Sequence, residues 1–135
     1  MTYKIPFRTE AQHSWKNLSE EINKTITESG ITDGICCIFN PHSTAGLFIN
    51  SYLDPKTPED IFETIKTLVP IRVDFRHQFD TPSDAAAHIK SCLFGNSETV
   101  IIENGTLKLG SSQGIIFAEF DGPRNREVWV KLIKA

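Results

Sequence analysis

The chain opens on a strict alternation. Tyr3, Ile5 and Phe7 are separated by Lys4, Pro6 and Arg8. A period of two predicts a strand with one buried face. Pro6 predicts that the strand lies at a sheet edge, because proline has no N–H to give a ladder. The period then lengthens. Leu18, Ile22 and Ile26, with Trp15 ahead of them, predict a helix from about Trp15 to Ser29. Asn17 or Ser19 is its candidate cap, and Gly30 its stop. The unbroken run Gly34 to Phe39 reads as a buried strand ended by Asn40-Pro41, and Gly46 to Asn50 as another.

A second helix opens after Asp54-Pro55, with Thr57 as cap and Pro58 in its first turn. Ile61, Phe62, Ile65 and Leu68 give its apolar face, and Pro70 ends it. Residues 72–83 are polar and irregular, a loop of a length that usually carries function or moves. A short helix from about Asp84 to Leu93 follows, stopped by Gly95. The remainder reads as strands: Thr99 to Ile102, a return over Thr106 to Leu109 through the Asn104-Gly105 turn, Gly114 to Phe120, and Glu127 to Ile133. Helices early and hairpin-linked strands late predict one α+β domain over residues 1–135. Its sheet should be mainly antiparallel and curled, sandwich- or barrel-like, with two longer helices and one short one.

Composition narrows the function classes. Seventeen acidic against 14 basic residues leave a net charge of −3 in 135 residues. Such a surface binds nucleic acid poorly, since phosphate neutralisation needs excess Lys and Arg. No run of 18 apolar residues predicts a membrane span, and the first residues lack the pattern of a signal peptide. Cys36, Cys37 and Cys92 are odd in number and without Cys-x-x-Cys spacing. They read as buried or half-buried small apolar residues in a reduced cytoplasmic protein. Adjacent Cys36 and Cys37 must face opposite sides of their strand.

The candidate chemistry lies in the histidines. His42 follows the buried strand, His77 sits in the long loop, and His88 is four residues after Asp84 on the short helix. That spacing puts Asp84 and His88 on one helical face. Three imidazoles could hold a zinc ion with one position open, or act as acid and base, or bind an anion without metal. Taken singly, each also fits a solvated or hydrogen-bonded histidine. His13, ahead of the first helix, reads as a surface residue. Arg124 and Arg126, two apart, could clamp a phosphate or carboxylate, or pair with Asp121 or Glu127 at a solvated strand end. Ser43, Thr44 and the polar turn ending in Gln113 could add hydrogen bonds to an anion. No dinucleotide fingerprint, Walker loop or nucleophile elbow is present.

Five collinear stretches resemble the YjbQ-like family, also described as secondary thiamine-phosphate synthases. They are His42-Ser43-Thr44-Ala45-Gly46-Leu47 with Asn50 and Asp54-Pro55; His77, Asp84 and His88-Ile89-Lys90-Ser91 with Gly95 and Ser97; Glu103-Asn104-Gly105 with Leu107, Leu109 and Gly110; Gln113-Gly114-Ile115; and Phe120-Asp121-Gly122-Pro123-Arg124 with Arg126 and Val130. The resemblance implies an α+β fold with a curled antiparallel sheet, assembled as a homotrimer. It also implies a site at His42, His77 and His88 that takes a metal ion, zinc by its ligand type, or an anion; the four-residue spacing would let Asp84 orient His88 there. The implied activity couples a pyrimidine pyrophosphate to a thiazole phosphate; in such an enzyme Arg124 and Arg126 would hold the phosphate, and Ser43, Thr44 and Gln113 could add hydrogen bonds to it. A non-catalytic binder of a phosphorylated metabolite or metal is the alternative. Ser51 stands where the family commonly has Glu, and Ser112 where it commonly has Trp.

Overall fold

A computed structural model describes residues 1–135. The elements run β1 (Thr2–Arg8), β2 (Ser14–Asn17), α1 (Ser19–Ser29), β3 (Asp33–Phe39), β4 (Ala45–Ser51), α2 (Lys56–Leu68), α3 (Pro82–Phe94), β5 (Ser97–Glu103), β6 (Thr106–Leu107), β7 (Gln113–Glu119) and β8 (Asn125–Lys134). The strands form a five-stranded sheet, β1-β8-β3-β5-β6, and a three-stranded sheet, β2-β7-β4. Every pairing is antiparallel, so the α+β architecture with curled antiparallel sheets is the one observed. β1 is an edge, as Pro6 requires.

The main core lies between the two sheets. Ile5, Ile38, Val100, Ile102, Val128 and Val130 enter it from the larger sheet, and Leu47, Ile115 and Phe117 from the smaller one. Ile22 and Ile26 of α1, with Leu18 just ahead of that helix, close it, each fully buried. At about 1.5–3 kcal/mol per buried aliphatic side chain, this layer is the principal favourable term. The far side of the smaller sheet carries a second layer. There Ala118 and Phe120 pack against Phe62 and Ile65 of α2 and Ala87 of α3. β7 is therefore buried on both faces, which explains its continuous apolar run.

Four element boundaries differ from the sequence expectation. The first helix starts at Ser19, and Ser14–Asn17 is a strand instead. Trp15 and Asn17 pair with Ala118 and Ile116 of β7, a non-local partner that outweighs helical spacing at Trp15. α2 starts at Lys56, whose N–H donates to Asp54 Oδ1 at 2.9 Å, so Asp54 and not Thr57 serves that end. α3 is not short. It begins at Pro82 and spans 13 residues, as α2 does, because Thr81 caps it. The hairpin returns only to Leu107, through Asn104 and Gly105, both at positive φ (54° and 80°). Cys36 and Cys37 do face opposite sides, buried and half-buried, but Cys92 is exposed on α3.

Candidate metal centre

The start of α3 builds the site. Thr81 Oγ1 accepts the N–H of Asp84 at 3.1 Å, and Pro82 occupies the first turn, where its missing N–H costs nothing. Asp84 is thereby fixed in the first turn, where the helix dipole favours a carboxylate. His88 lies one turn on, over the same face. His77 reaches back from the preceding loop. Asp84 Oδ2 lies 2.9 Å from His77 Nε2 and 3.3 Å from His88 Nε2. The two imidazole centroids are 5.2 Å apart, at 78° to each other.

His88 is oriented from behind. Its Nδ1 donates to the Ser43 carbonyl at 3.1 Å. A carbonyl only accepts, so the proton is on Nδ1 and Nε2 faces Asp84. Metal-ligating histidines are commonly held this way. One donor atom each from His77, Asp84 and His88 falls within 4.8 Å of the others. A tetrahedral zinc ion with bonds near 2.0–2.1 Å separates its donors by about 3.3 Å. The His88–Asp84 distance is 3.3 Å, the His77–Asp84 distance is 2.9 Å, and all three donors lie within 4.8 Å of one another, so small side-chain shifts would bring this donor set onto such an ion.

The electrostatics suit a cation. Burial pushes the Asp84 carboxyl up, but hydrogen bonds from His77 and Asp121 and the proximity of His88 outweigh it, and its pKa sits below the ordinary value. The neighbouring Asp121 moves the other way. Burial raises it, and the Asp84 charge adds to that against the pull of Arg124. Arg124 Nη2 donates to Asp121 Oδ2 at 2.8 Å, and its Nε to the Asp121 carbonyl at 2.7 Å. Arg124 thus reaches Asp84 only through Asp121.

Several sequence candidates fall elsewhere. His42 does not join His77 and His88. The Glu127 N–H donates to its Nε2 at 3.0 Å, and its ring stands edge-on to Phe117. Burial, then Arg126, lowers its pKa. It shares with His88 only the wall of a cleft of about 530 Å³ that also includes Ser43, Ser91 and Cys92. Arg126 is buried and closed by Glu119, with Nε 2.8 Å from Oε1, and its Nη2 donates to Thr44 Oγ1 at 2.8 Å. Arg126 Nε and Nη2 and the Thr44 hydroxyl are therefore committed to holding the fold. Arg124 precedes the first residue of β8, so strand alternation never placed it beside Arg126. Gln113 lies at the opposite end of β7 from Glu119, about 20 Å away, with Oε1 accepting the Gly110 N–H. Ser51 pairs with Gln113, and Tyr52 N–H donates to the Ser112 carbonyl, so both departures from the family pattern stand at that far end.

Two features were missed. Arg72, Phe75, Arg76 and Ile89 join His77 and His88 around a cleft of about 650 Å³. The signal was present as Arg72-x-x-x-Arg76-His77 in the long loop. The other is His13, which is not a free surface residue. It accepts a hydrogen bond at 2.9 Å from Lys90, a side chain only 1% exposed, and meets the rings of Phe62 and Phe120 edge-on. Burial, then the Lys90 charge, drives the His13 pKa down to about 4. A histidine whose folded pKa lies below its unfolded value of 6.5 stabilises the fold fully above pH 6.5. That contribution fades as the pH falls toward 4. His13→Gln, which keeps an acceptor for Lys90, should flatten the urea-denaturation midpoint between pH 6.5 and 4, removing a slope worth about 1–2 kcal/mol after solvent screening. An unchanged slope would refute this assignment.

Comparison with known proteins agrees with the fold. The profile of the family described as UPF0047 protein YjbQ-like matches residues 3–135. The chain belongs to this YjbQ-like family. A family member from Methanocaldococcus jannaschii is 42% identical over 133 residues, covering 98% of this chain and 94% of that protein. The family protein YugU of Bacillus subtilis is 37% identical, covering 96% of each chain. A family crystal structure from Clostridium acetobutylicum superposes with a TM-score of 0.91 at 40% identity, covering 97% of this chain and 99% of that one. Another, from Sulfolobus solfataricus, described as of unknown function, has a TM-score of 0.91 at 27% identity, covering 100% and 97%. No helix is long and apolar enough to cross a membrane.

Proposed function

We propose that this protein holds one divalent metal ion, zinc by its donor set, on His77, Asp84 and His88. With it the protein binds a small phosphorylated molecule in the cleft lined by Arg72, Phe75, Arg76 and Ile89. The observation that carries this reading is the convergence of two imidazole nitrogens and one carboxylate oxygen within 4.8 Å, with His88 fixed by the Ser43 carbonyl. Two histidines plus one carboxylate, with a fourth position open, is a common catalytic zinc pattern. When bound, such an ion supplies Lewis-acid stabilisation of charge on a phosphate oxygen or a leaving group.

The chain's own groups fit that role. Arg72 and Arg76 offer planar forks for phosphate oxygens, Arg72 while paired to Asp74 and stacked on Phe75. Phe75 is buried under the cleft and gives it a rigid apolar floor. Asp121 and Arg124 hold Asp84 from the protein side. A transfer that releases pyrophosphate, of the thiamine-phosphate synthase type, demands this pairing of cation and guanidinium. The zinc-loaded protein should therefore convert a pyrimidine pyrophosphate and a thiazole phosphate to thiamine phosphate. Arg76→Ala should lower kcat/KM by about 10–100-fold. Pyrophosphate binding that is lost in Arg76→Ala, with no turnover, would leave a metabolite-binding protein. Turnover and binding unaffected by the substitution would remove this cleft from the account.

A further inference from the structure

Stability alone does not account for the buried pair of Glu119 and Arg126. Apolar residues of similar volume can replace such a pair with little loss, or with a gain. What two apolar residues cannot do is send hydrogen bonds outward. This pair sends them in two directions, and each direction ends at a support of the candidate centre.

From Arg126 the contacts lead to His88. Arg126 Nη2 donates to Thr44 Oγ1 at 2.8 Å, and Thr44 is itself buried. The Thr44 carbonyl accepts the Phe120 N–H at 3.2 Å, which ties the same turn to the end of β7. Ser43 shares a peptide group with Thr44, and the Ser43 carbonyl is the acceptor that orients His88 Nδ1. From Glu119 the contacts lead to Asp84. Glu119 Oε2 accepts the Asp121 N–H at 3.1 Å, and the Asp121 side chain is hydrogen-bonded to Asp84. Glu119 Oε1 accepts from Thr9 Oγ1 at 2.7 Å, and that hydroxyl accepts the Arg124 N–H at 2.9 Å. Arg124 in turn grips the Asp121 carboxylate at 2.8 Å. Asp84 and His88 both ride on α3, yet the turn behind His88 and the carboxyl beside Asp84 both hang on one ion pair.

We propose that Glu119 and Arg126 are positioning residues of the centre, fixing the Ser43 carbonyl behind His88 and the Asp121 carboxyl beside Asp84; this rests on the proposed metal at His77, Asp84 and His88. The guanidinium fork suits the task. Nε reaches Glu119 Oε1 at 2.8 Å while Nη2 reaches Thr44, two directions that the point charge of a lysine does not reproduce. His77 stands outside the arrangement, because it comes from the loop before α3 and meets Asp84 directly. Removing a partner of a metal ligand costs about 10–100-fold in affinity. Residues one contact further out should act at the low end of that range.

Zinc titration of the full chain against a chromophoric chelator tests the proposal. Glu119→Met with Arg126→Met should keep the fold, checked by its urea midpoint, and bind zinc about tenfold more weakly. Ile102→Val, a change in the main core, should leave zinc affinity within about twofold. Thr44→Val, which removes the hydroxyl, should weaken zinc binding, and Thr44→Ser should restore it. These two variants carry the test if the double variant does not fold. A folded double variant that binds zinc like the wild type would overturn the proposal, and so would Thr44→Val with unchanged affinity. Nitrogen NMR of the zinc-free protein, labelled at histidine, separates this proposal from the metal itself. His88 should hold its proton on Nδ1 in the wild type and share it between both ring nitrogens in the double variant. A wild type that binds no zinc would remove the metal. The positioning would then stand on that tautomer shift, and an unchanged tautomer would overturn it too.

Discussion

Replacing Arg126 by Met should destabilise the fold by about 3–5 kcal/mol at neutral pH. Glu119 is fully buried and Arg126 is 6% exposed. The Glu119 carboxylate accepts from Arg126, from Thr9 Oγ1 at 2.7 Å, and from the N–H groups of Phe120 and Asp121 at 3.1 Å each. Removing the guanidinium leaves a desolvated charge with neutral donors only, which costs more than a lost hydrogen bond. Changing both partners, Arg126→Met with Glu119→Met, should recover most of the loss, because no lone charge remains. The pH dependence has a defined sign. Burial raises the Glu119 pKa, but Arg126 and Thr9 pull it below its ordinary 4.5. The pair's contribution is complete above pH 4.5 and is lost as the pH falls through the lower folded value. Urea denaturation at pH 7 and below pH 4 checks both points. A loss under about 1 kcal/mol for the single variant would show that the pair is not desolvated.

The second large effect concerns the metal. Asp84→Asn, His77→Ala and His88→Ala should each weaken zinc binding by about 100-fold or more, since each removes a ligand from a set of three. His42→Ala should change it by less than about threefold, although the family resemblance counts His42 with the others. Its Nε2 already accepts the Glu127 N–H at 3.0 Å. Competition titration with a chromophoric chelator separates the four variants. A His42 effect equal to that of His88 would restore the three-histidine arrangement.

Much of the fold was legible because its signals are local. Alternation in β1, the buried runs of β3 and β7, and Asn104-Gly105 each state a strand or turn directly. Trp15 misled because its partner, Ala118, lies far along the chain, and no local period encodes that pairing. The length of α3 was hidden because Thr81 and Pro82 read as the end of a loop, when together they are a cap and a first turn. In the site, Asp84 and His88 were legible because one helix fixes both. His77 joined them as expected. His42 and Arg126 share motifs with site residues, yet their side chains are committed to Glu127 and Glu119. Only the three-dimensional arrangement of β7 and β8 reveals that. Arg72 and Arg76 were written in a polar loop where any cation reads as solvated, until the cleft gave them a common target.

X-ray absorption at the zinc edge, on protein stripped of metal, reloaded with zinc chloride and dialysed, tests the centre most directly. One zinc per chain is expected, with imidazole nitrogen and carboxylate oxygen at about 2.0–2.2 Å and no sulfur. A sulfur scatterer near 2.3 Å, which would put Cys92 at the ion, would contradict it. So would protein that retains no zinc.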